Sequence, residues 1–143
     1  MKIYLAGPLF TTAERMFNAE LAKLLRDLRH DVFLPQETEQ RSATPRQIFD
    51  SDVAGIDWSE VVVANMDGLD PDSGTCWECG YAHGKKPVIL FRTDIREEGP
   101  PFGPFNLMMH QATGGWLDCK GSSIAEIAAL IDKKLGDLMM GRS

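Results

Sequence analysis

Neither G-x-G-x-x-G nor G-x-x-x-x-G-K-[ST] occurs in these 143 residues, so the glycine-rich cradles for dinucleotides and nucleoside triphosphates are missing. A G-x-S-x-G elbow is absent too, which removes the usual serine-hydrolase arrangement. Positive charge is in deficit: 15 Lys and Arg against 21 Asp and Glu leave a net charge of −6. No basic surface is therefore expected to track a nucleic-acid backbone, and a small neutral or cationic ligand suits the chain better than a polyanion. No stretch approaches the ~20 apolar residues of a membrane span. Met1-Lys-Ile-Tyr-Leu-Ala6 enters a strand-like run without the longer apolar region of a signal peptide, so the expected compartment is the cytoplasm. Cysteines number only three, Cys76, Cys79 and Cys119, an odd count that argues against a disulfide framework. Cys76-Trp-Glu-Cys79 has the C-x-x-C spelling, but it follows the middle strand and has no second ligand pair at zinc spacing. Two small, soft residues packed on a sheet are the expectation. His30, His83 and His110 are scattered without metal spacing, so neither metal nor cofactor is expected.

What is present reads as an ordinary soluble domain spanning 1–143, with 43% hydrophobic and 25% charged residues. Lys2–Ala6 is a first strand ended by Gly7-Pro8. Thr11 or Thr12 caps a helix on which Phe17, Leu21, Leu24, Leu25 and Leu28 recur at helical spacing. Val32–Leu34 is a second strand closed by Pro35, and the polar, aperiodic Gln36–Ala43 reads as a loop. Thr44-Pro45 starts a helix with apolar Ile48, Phe49, Val53 and Ile56. Val61–Met66 is a buried third strand and Pro87–Phe91 a fourth. Arg92–Pro104 reads as a mobile loop or lid, Phe105–Gln111 as a short helix, and Gly115–Leu117 as a fifth strand. Ser122 or Ser123 caps a last helix carrying Ile124, Ile127, Ile131, Leu135 and Leu138. Strands alternating with helices give an α/β, three-layer fold: a five-stranded, mostly parallel sheet with helices on both faces. The flavodoxin-like strand order 2-1-3-4-5 is the simplest right-handed solution.

The most informative stretch is Asp70-Pro-Asp72-Ser-Gly74-Thr-Cys-Trp-Glu78, followed by Cys79-Gly80. It stands where ligands bind in open parallel sheets, beyond the carboxyl end of a strand. Gly74 is expected to let the chain turn tightly, with Glu78 about one helical turn further on. Converging carboxylates suit an acid, a base or a nucleophile. After the first strand, Gly7-Pro-Leu-Phe10 offers an apolar wall where a phosphate cradle would carry glycines.

Together, and in order, Tyr4-Leu-Ala-Gly-Pro8, Asp52-Val-Ala-Gly-Ile56, Asp72-Ser-Gly-Thr-Cys-Trp-Glu78-Cys-Gly80, Lys86-Pro-Val88 and Phe105-Asn-Leu-Met108 resemble the nucleoside 2-deoxyribosyltransferases. The resemblance runs from residue 3 to about residue 112. It implies a flavodoxin-like enzyme that exchanges the base of a 2′-deoxynucleoside for a free base through a covalent deoxyribosyl-glutamate. By the same resemblance Glu78 is the nucleophile, Asp72 belongs to the sugar and leaving-group site, and Asp52 faces the base as proton donor and acceptor. Tyr4 orients the nucleophile. Asn106 and Met108 reach a neighbouring subunit's sugar pocket, which implies a homodimer or larger assembly. Gly141-Arg-Ser143 departs from members whose C-terminal tyrosine closes the site.

The chemistry fits these residue types. Breaking an N-glycosidic bond builds positive charge at C1′ and negative charge on the base. One carboxylate can collapse onto the first while an acid neutralises the second. Displacing twice at C1′ gives retention, and transfer outruns hydrolysis only where water is kept out. Phe10, Trp58, Trp77 and Met108 are the expected walls, with Gly7 and Gly74 lining the substrate. Plainer roles stand beside these: a helix-surface charge for Asp52, a helix cap for Asp72 and for Asn106, core for Met108. The alternatives are an N-glycosidase hydrolysing 2′-deoxynucleosides or their 5′-monophosphates, and a non-catalytic nucleoside-sensing module on the same fold.

Overall fold

The computed structural model describes residues 1–38, 43–97, 103–113 and 115–141. In chain order the elements are β1 (Lys2–Ala6), α1 (Thr12–Asp27), β2 (Asp31–Phe33), α2 (Pro35–Thr38), α3 (Pro45–Trp58), β3 (Val61–Asn65), α4 (Ser73–Ala82), β4 (Val88–Arg92), α5 (Leu107–Ala112), β5 (Trp116–Asp118) and α6 (Ile124–Met140). The sheet order is β2-β1-β3-β4-β5, and every pairing is parallel. The expected order holds, and "mostly parallel" becomes wholly parallel.

Alternation along β1 shows how the layers form. Ile3 and Leu5 join Leu21, Leu25, Val61, Val63, Phe91, Ile127, Ile131 and Leu135 in one core, so α1 and α6 cover that face. Tyr4 and Ala6 point the other way, into a core with Ile56, Val62, Ala64, Cys79, Ala82, Leu90 and Phe105, where α3, α4 and α5 lie. All five residues of β3 are buried, as the continuous apolar run required. Capping boxes at Thr11 and Thr44 start α1 and α3, and Ser123 caps α6.

Three local expectations change. Gln36–Ala43 is not loop throughout: residues 35–38 form a single helical turn, in which the Thr38 hydroxyl donates to the Pro35 carbonyl at 3.0 Å. One turn is too short to show a period in sequence; positions 39–42 lie outside the described residues. Gly74 makes no tight turn, since it sits inside the first turn of α4. Arg92 belongs to β4 and is buried rather than opening a lid. Of the remainder of that segment, 98–102 lie outside the described residues, and so do 142 and 143.

Gly55 is where α3 approaches the sheet. A Cβ there would stand 2.7 Å from a ring carbon of Phe33, and Phe33 in turn stacks on Tyr4 at 5.4 Å. Gly55→Ala is expected to cost about 1–3 kcal/mol in overpacking, offset by roughly 1 kcal/mol of helix propensity. A lowered urea midpoint with an unchanged slope would register the net loss.

Candidate active site

A cavity of about 350 Å³ opens beyond the carboxyl ends of β1 and β2, where Gly7 and Pro35 line it. The turn after β1 contributes Gly7, Leu9 and Phe10, and α4 contributes Gly74, Trp77 and Glu78. From α3 come Ile48, Phe49, Asp52, Val53 and Ile56, spaced along one helical face. Asp72 completes the rim. Most of the wall is apolar, with three carboxyl groups set into it.

Glu78 is half-buried, and one of its oxygens accepts a hydrogen bond from the Tyr4 hydroxyl. Tyr4 itself is wholly buried in β1, so its phenol approaches Glu78 from beneath the cavity. Burial raises the Glu78 carboxyl to about 7, opposed by the Tyr4 bond and reinforced by the charges of Asp52 and Asp72. The Tyr4 phenol is held far above its usual range, first by burial and then by Glu78, so it stays protonated and acts as a donor. A carboxyl that is half ionised at neutral pH, fixed by a neutral donor in a largely apolar hollow, is suited to nucleophilic or proton-transfer work.

Asp72 is the N-cap of α4; its Oδ2 accepts from the Thr75 amide and the Thr75 hydroxyl, both at 2.9 Å. The plainer role is thus occupied, and the residue lines the cavity as well. Gly74 matters through the absence of a side chain: a Cβ there would meet the Asp72 carboxylate at 3.3 Å. Asp52 lies on the cavity-facing stripe of α3, not on its solvent side.

Tyr4, Gly7, Phe10, Asp52, Asp72, Gly74 and Glu78 are therefore brought together. Asn106 and Met108 are not brought to this cavity by the same chain. Asn106 caps α5, its Oδ1 accepting from the Met108 amide at 2.9 Å. Met108 is 71% exposed and borders a separate cleft with Cys79, Gly80 and His83. Trp58 is no wall either. It ends α3 beside the start of β1, with the Lys2 ammonium 5.6 Å from its ring centroid. Because α3 runs against the strands, its last residue lies toward their amino ends, while the stripe from Ile48 to Ile56 faces the cavity.

Phe49, read from the sequence only as part of the apolar stripe of α3, is a wall of the cavity. It packs on Trp77 at 5.3 Å between ring centroids, and Trp77 stacks on Tyr81 at 5.4 Å. An apolar stripe on α3 wider than one contact needs was the available signal. The two α4 cysteines are free thiols; burial pushes Cys79 up to about 12 and raises Cys76 as well. Neither supplies the thiolate that a redox pair needs. Among the described residues no helix is long and apolar enough to cross a membrane.

A crystal structure of a conserved protein from Enterococcus faecalis is 30% identical with a TM-score of 0.75, covering 94% of this chain and 98% of that one. A 2-deoxyribosyltransferase from Bacillus psychrosaccharolyticus is 25% identical with a TM-score of 0.65, covering 90% of each chain. An uncharacterised protein of Ureaplasma parvum is 33% identical over 94 residues, 57% of this chain; the match spans 58% of that relative's length. The profile of the nucleoside 2-deoxyribosyltransferases matches residues 3–113, which hold every cavity residue named above. On that match, the chain belongs to the nucleoside 2-deoxyribosyltransferase family.

Proposed function

We propose that the protein moves a 2-deoxyribosyl group from one nucleobase to another, with Glu78 as the nucleophile. The observation that carries this reading is the Tyr4–Glu78 hydrogen bond at the wall of an apolar cavity that also holds Asp52 and Asp72. The apolar walls, with Phe49 and Trp77 among them, accept the flat base. The Glu78 carboxylate bonds to C1′ as the C1′–N bond breaks, and Asp52 gives the departing base its proton. A second base surrenders a proton to Asp52 and attacks C1′, the ester bond breaks, and the carboxylate is restored. Two displacements at one carbon return the original configuration.

The reading includes a second copy of the chain. Asn106 and Met108 stand off the cavity of their own protomer, and exposed Leu107 and Met108 give α5 an apolar face. A homodimer in which α5 of one protomer completes the sugar pocket of the other accommodates both facts.

Incubating the protein with deoxyinosine and free adenine tests the activity. Deoxyadenosine is the expected product by chromatography; free deoxyribose alone would identify a hydrolase instead. Nucleosides are expected to be preferred over their 5′-monophosphates. Asp72 borders the cavity, and beyond Phe10 it shares a second hollow with Glu14, Asp67 and Asp70. Arg96 also lines that hollow, but its guanidinium is held by Asp94 at 2.6 Å. One like-charge contact at ~4 Å costs about 4 kcal/mol at an effective dielectric of ~20, and half of that is already roughly thirtyfold. Deoxyinosine 5′-monophosphate should therefore show kcat/KM lower than deoxyinosine by at least about that factor. Equal values would contradict the assignment of Asp72 to the sugar end.

A further inference from the structure

Arg92 is 1% exposed, yet among the described residues its guanidinium pairs with no carboxylate. Instead Nη1 donates to the carbonyls of Met66 and, at 3.1 Å, Gly68, while Nη2 donates to the Arg96 carbonyl at 2.7 Å. Its Nε finds no acceptor among the described residues, and the guanidinium lies 6.0 Å from the centroid of Phe105. A buried charge bonded only to backbone is costly, and an apolar side chain of similar volume would fill the space more cheaply. Such a residue makes sense where a particular geometry has to be held.

The geometry held here is that of the chain leading to Asp72. Met66 and Gly68 end β3 and begin the loop, and only residues 69–71 separate Gly68 from Asp72. A second tie supports the first: the Gly68 amide donates to Asp94 at 3.1 Å, and the Asp67 carboxylate accepts from the amides of Thr93 and Asp94 at 2.7 and 2.9 Å. The segments after β3 and β4 are thereby laced together, with the arginine buried at the centre.

We propose that Arg92, assisted by Asp94, is a positioning residue: by fixing the backbone at Met66–Gly68 it sets where Asp72 stands at the rim of the cavity. Its catalytic consequence rests on reading that cavity as the deoxynucleoside site. Asp72 has its own reporter, because the Thr75 amide donates to it.

The test compares the native protein with Arg92→Met at a temperature where near-UV circular dichroism shows both folded. Amide exchange at Thr75 is expected to accelerate at least tenfold, while amides of Ala128–Ile131 in α6 change less than twofold. KM for deoxyinosine is expected to rise at least fivefold with a smaller change in kcat. Arg92→Lys should restore neither, since one ammonium cannot span three carbonyls. Exchange at Thr75 within twofold of native would overturn the proposal whatever the kinetics do, and so would accelerated exchange with unchanged KM and kcat. Should Arg92→Met not fold, Asp94→Ala cuts the Gly68 tie from the solvent side; threefold faster exchange at Thr75 supports the proposal and an unchanged rate overturns it. If the native protein transfers no deoxyribose, the functional reading fails, and exchange at Thr75 still decides the positioning.

Discussion

Glu78→Ala is expected to abolish deoxyribosyl transfer, a loss on the order of 10⁴-fold or more, because the covalent route ends with its nucleophile. Deoxynucleoside binding should persist within a few-fold, since the apolar walls and Asp72 stay in place. Steady-state transfer and calorimetric binding on the same preparation separate the two effects. Loss of binding together with turnover would make Glu78 a binding group, and retained turnover would remove it from the chemistry. Glu78→Gln carries a stability corollary. The Glu78 carboxyl titrates near 7 when folded against a usual 4.5. The folded state therefore binds this proton more tightly, and native stability falls as pH rises from about 4.5 to about 7. Glutamine escapes that loss, so the variant should gain on the order of 2 kcal/mol over the native protein at pH 8 and little at pH 4. A stability difference that does not change with pH would contradict the raised carboxyl.

Tyr4→Phe is expected to act chiefly through pH. The nucleophile must be ionised, so kcat/KM should climb with pH through an acid limb near 7, the value to which burial lifts Glu78. The Tyr4 hydroxyl favours the ionised form, and its removal leaves a half-buried carboxylate one donor short. A hydrogen bond to a charged group is worth about 1.5–3 kcal/mol, or roughly one to two pKa units. The limb should therefore move upward by that amount. Activity at pH 6.5 then falls roughly ten- to hundredfold, and much of it returns at higher pH. A limb that stays in place, or moves down, would show that the phenol does not stabilise the carboxylate. Phenylalanine keeps the stacking surface that Tyr4 presents to Phe33, so the fold should survive.

How much of this was legible in sequence varied with the physics involved. The strands declared themselves, because β3 is buried on both faces and reads as an unbroken apolar run, while β1 alternates between two cores. Helix starts were nearly as plain: Thr44-Pro45 was read directly and Ser123 is one of the two serines offered for α6, both satisfying amide donors through side chains adjacent in sequence. What sequence could not supply was the sense in which a helix lies across the sheet. Trp58 was the expected wall and Phe49 only an apolar residue of α3, yet it is Phe49 that lines the cavity. Asp52 could be weighed as a surface charge until the structure set it in the same cavity wall as Glu78. The role of Arg92 was illegible for another reason: its partners are carbonyls, which leave no mark in the identity of the residues that carry them.

The covalent step is the central claim, and mass spectrometry of the protein incubated with a 2′-fluoro-2′-deoxynucleoside, whose fluorine beside C1′ slows turnover of the glycosyl ester, tests it most directly. A sugar adduct on the peptide containing Glu78, lost on adding free base and absent from Glu78→Ala, is the expected result. An adduct on any other residue, or steady transfer with no adduct at any time, would contradict it.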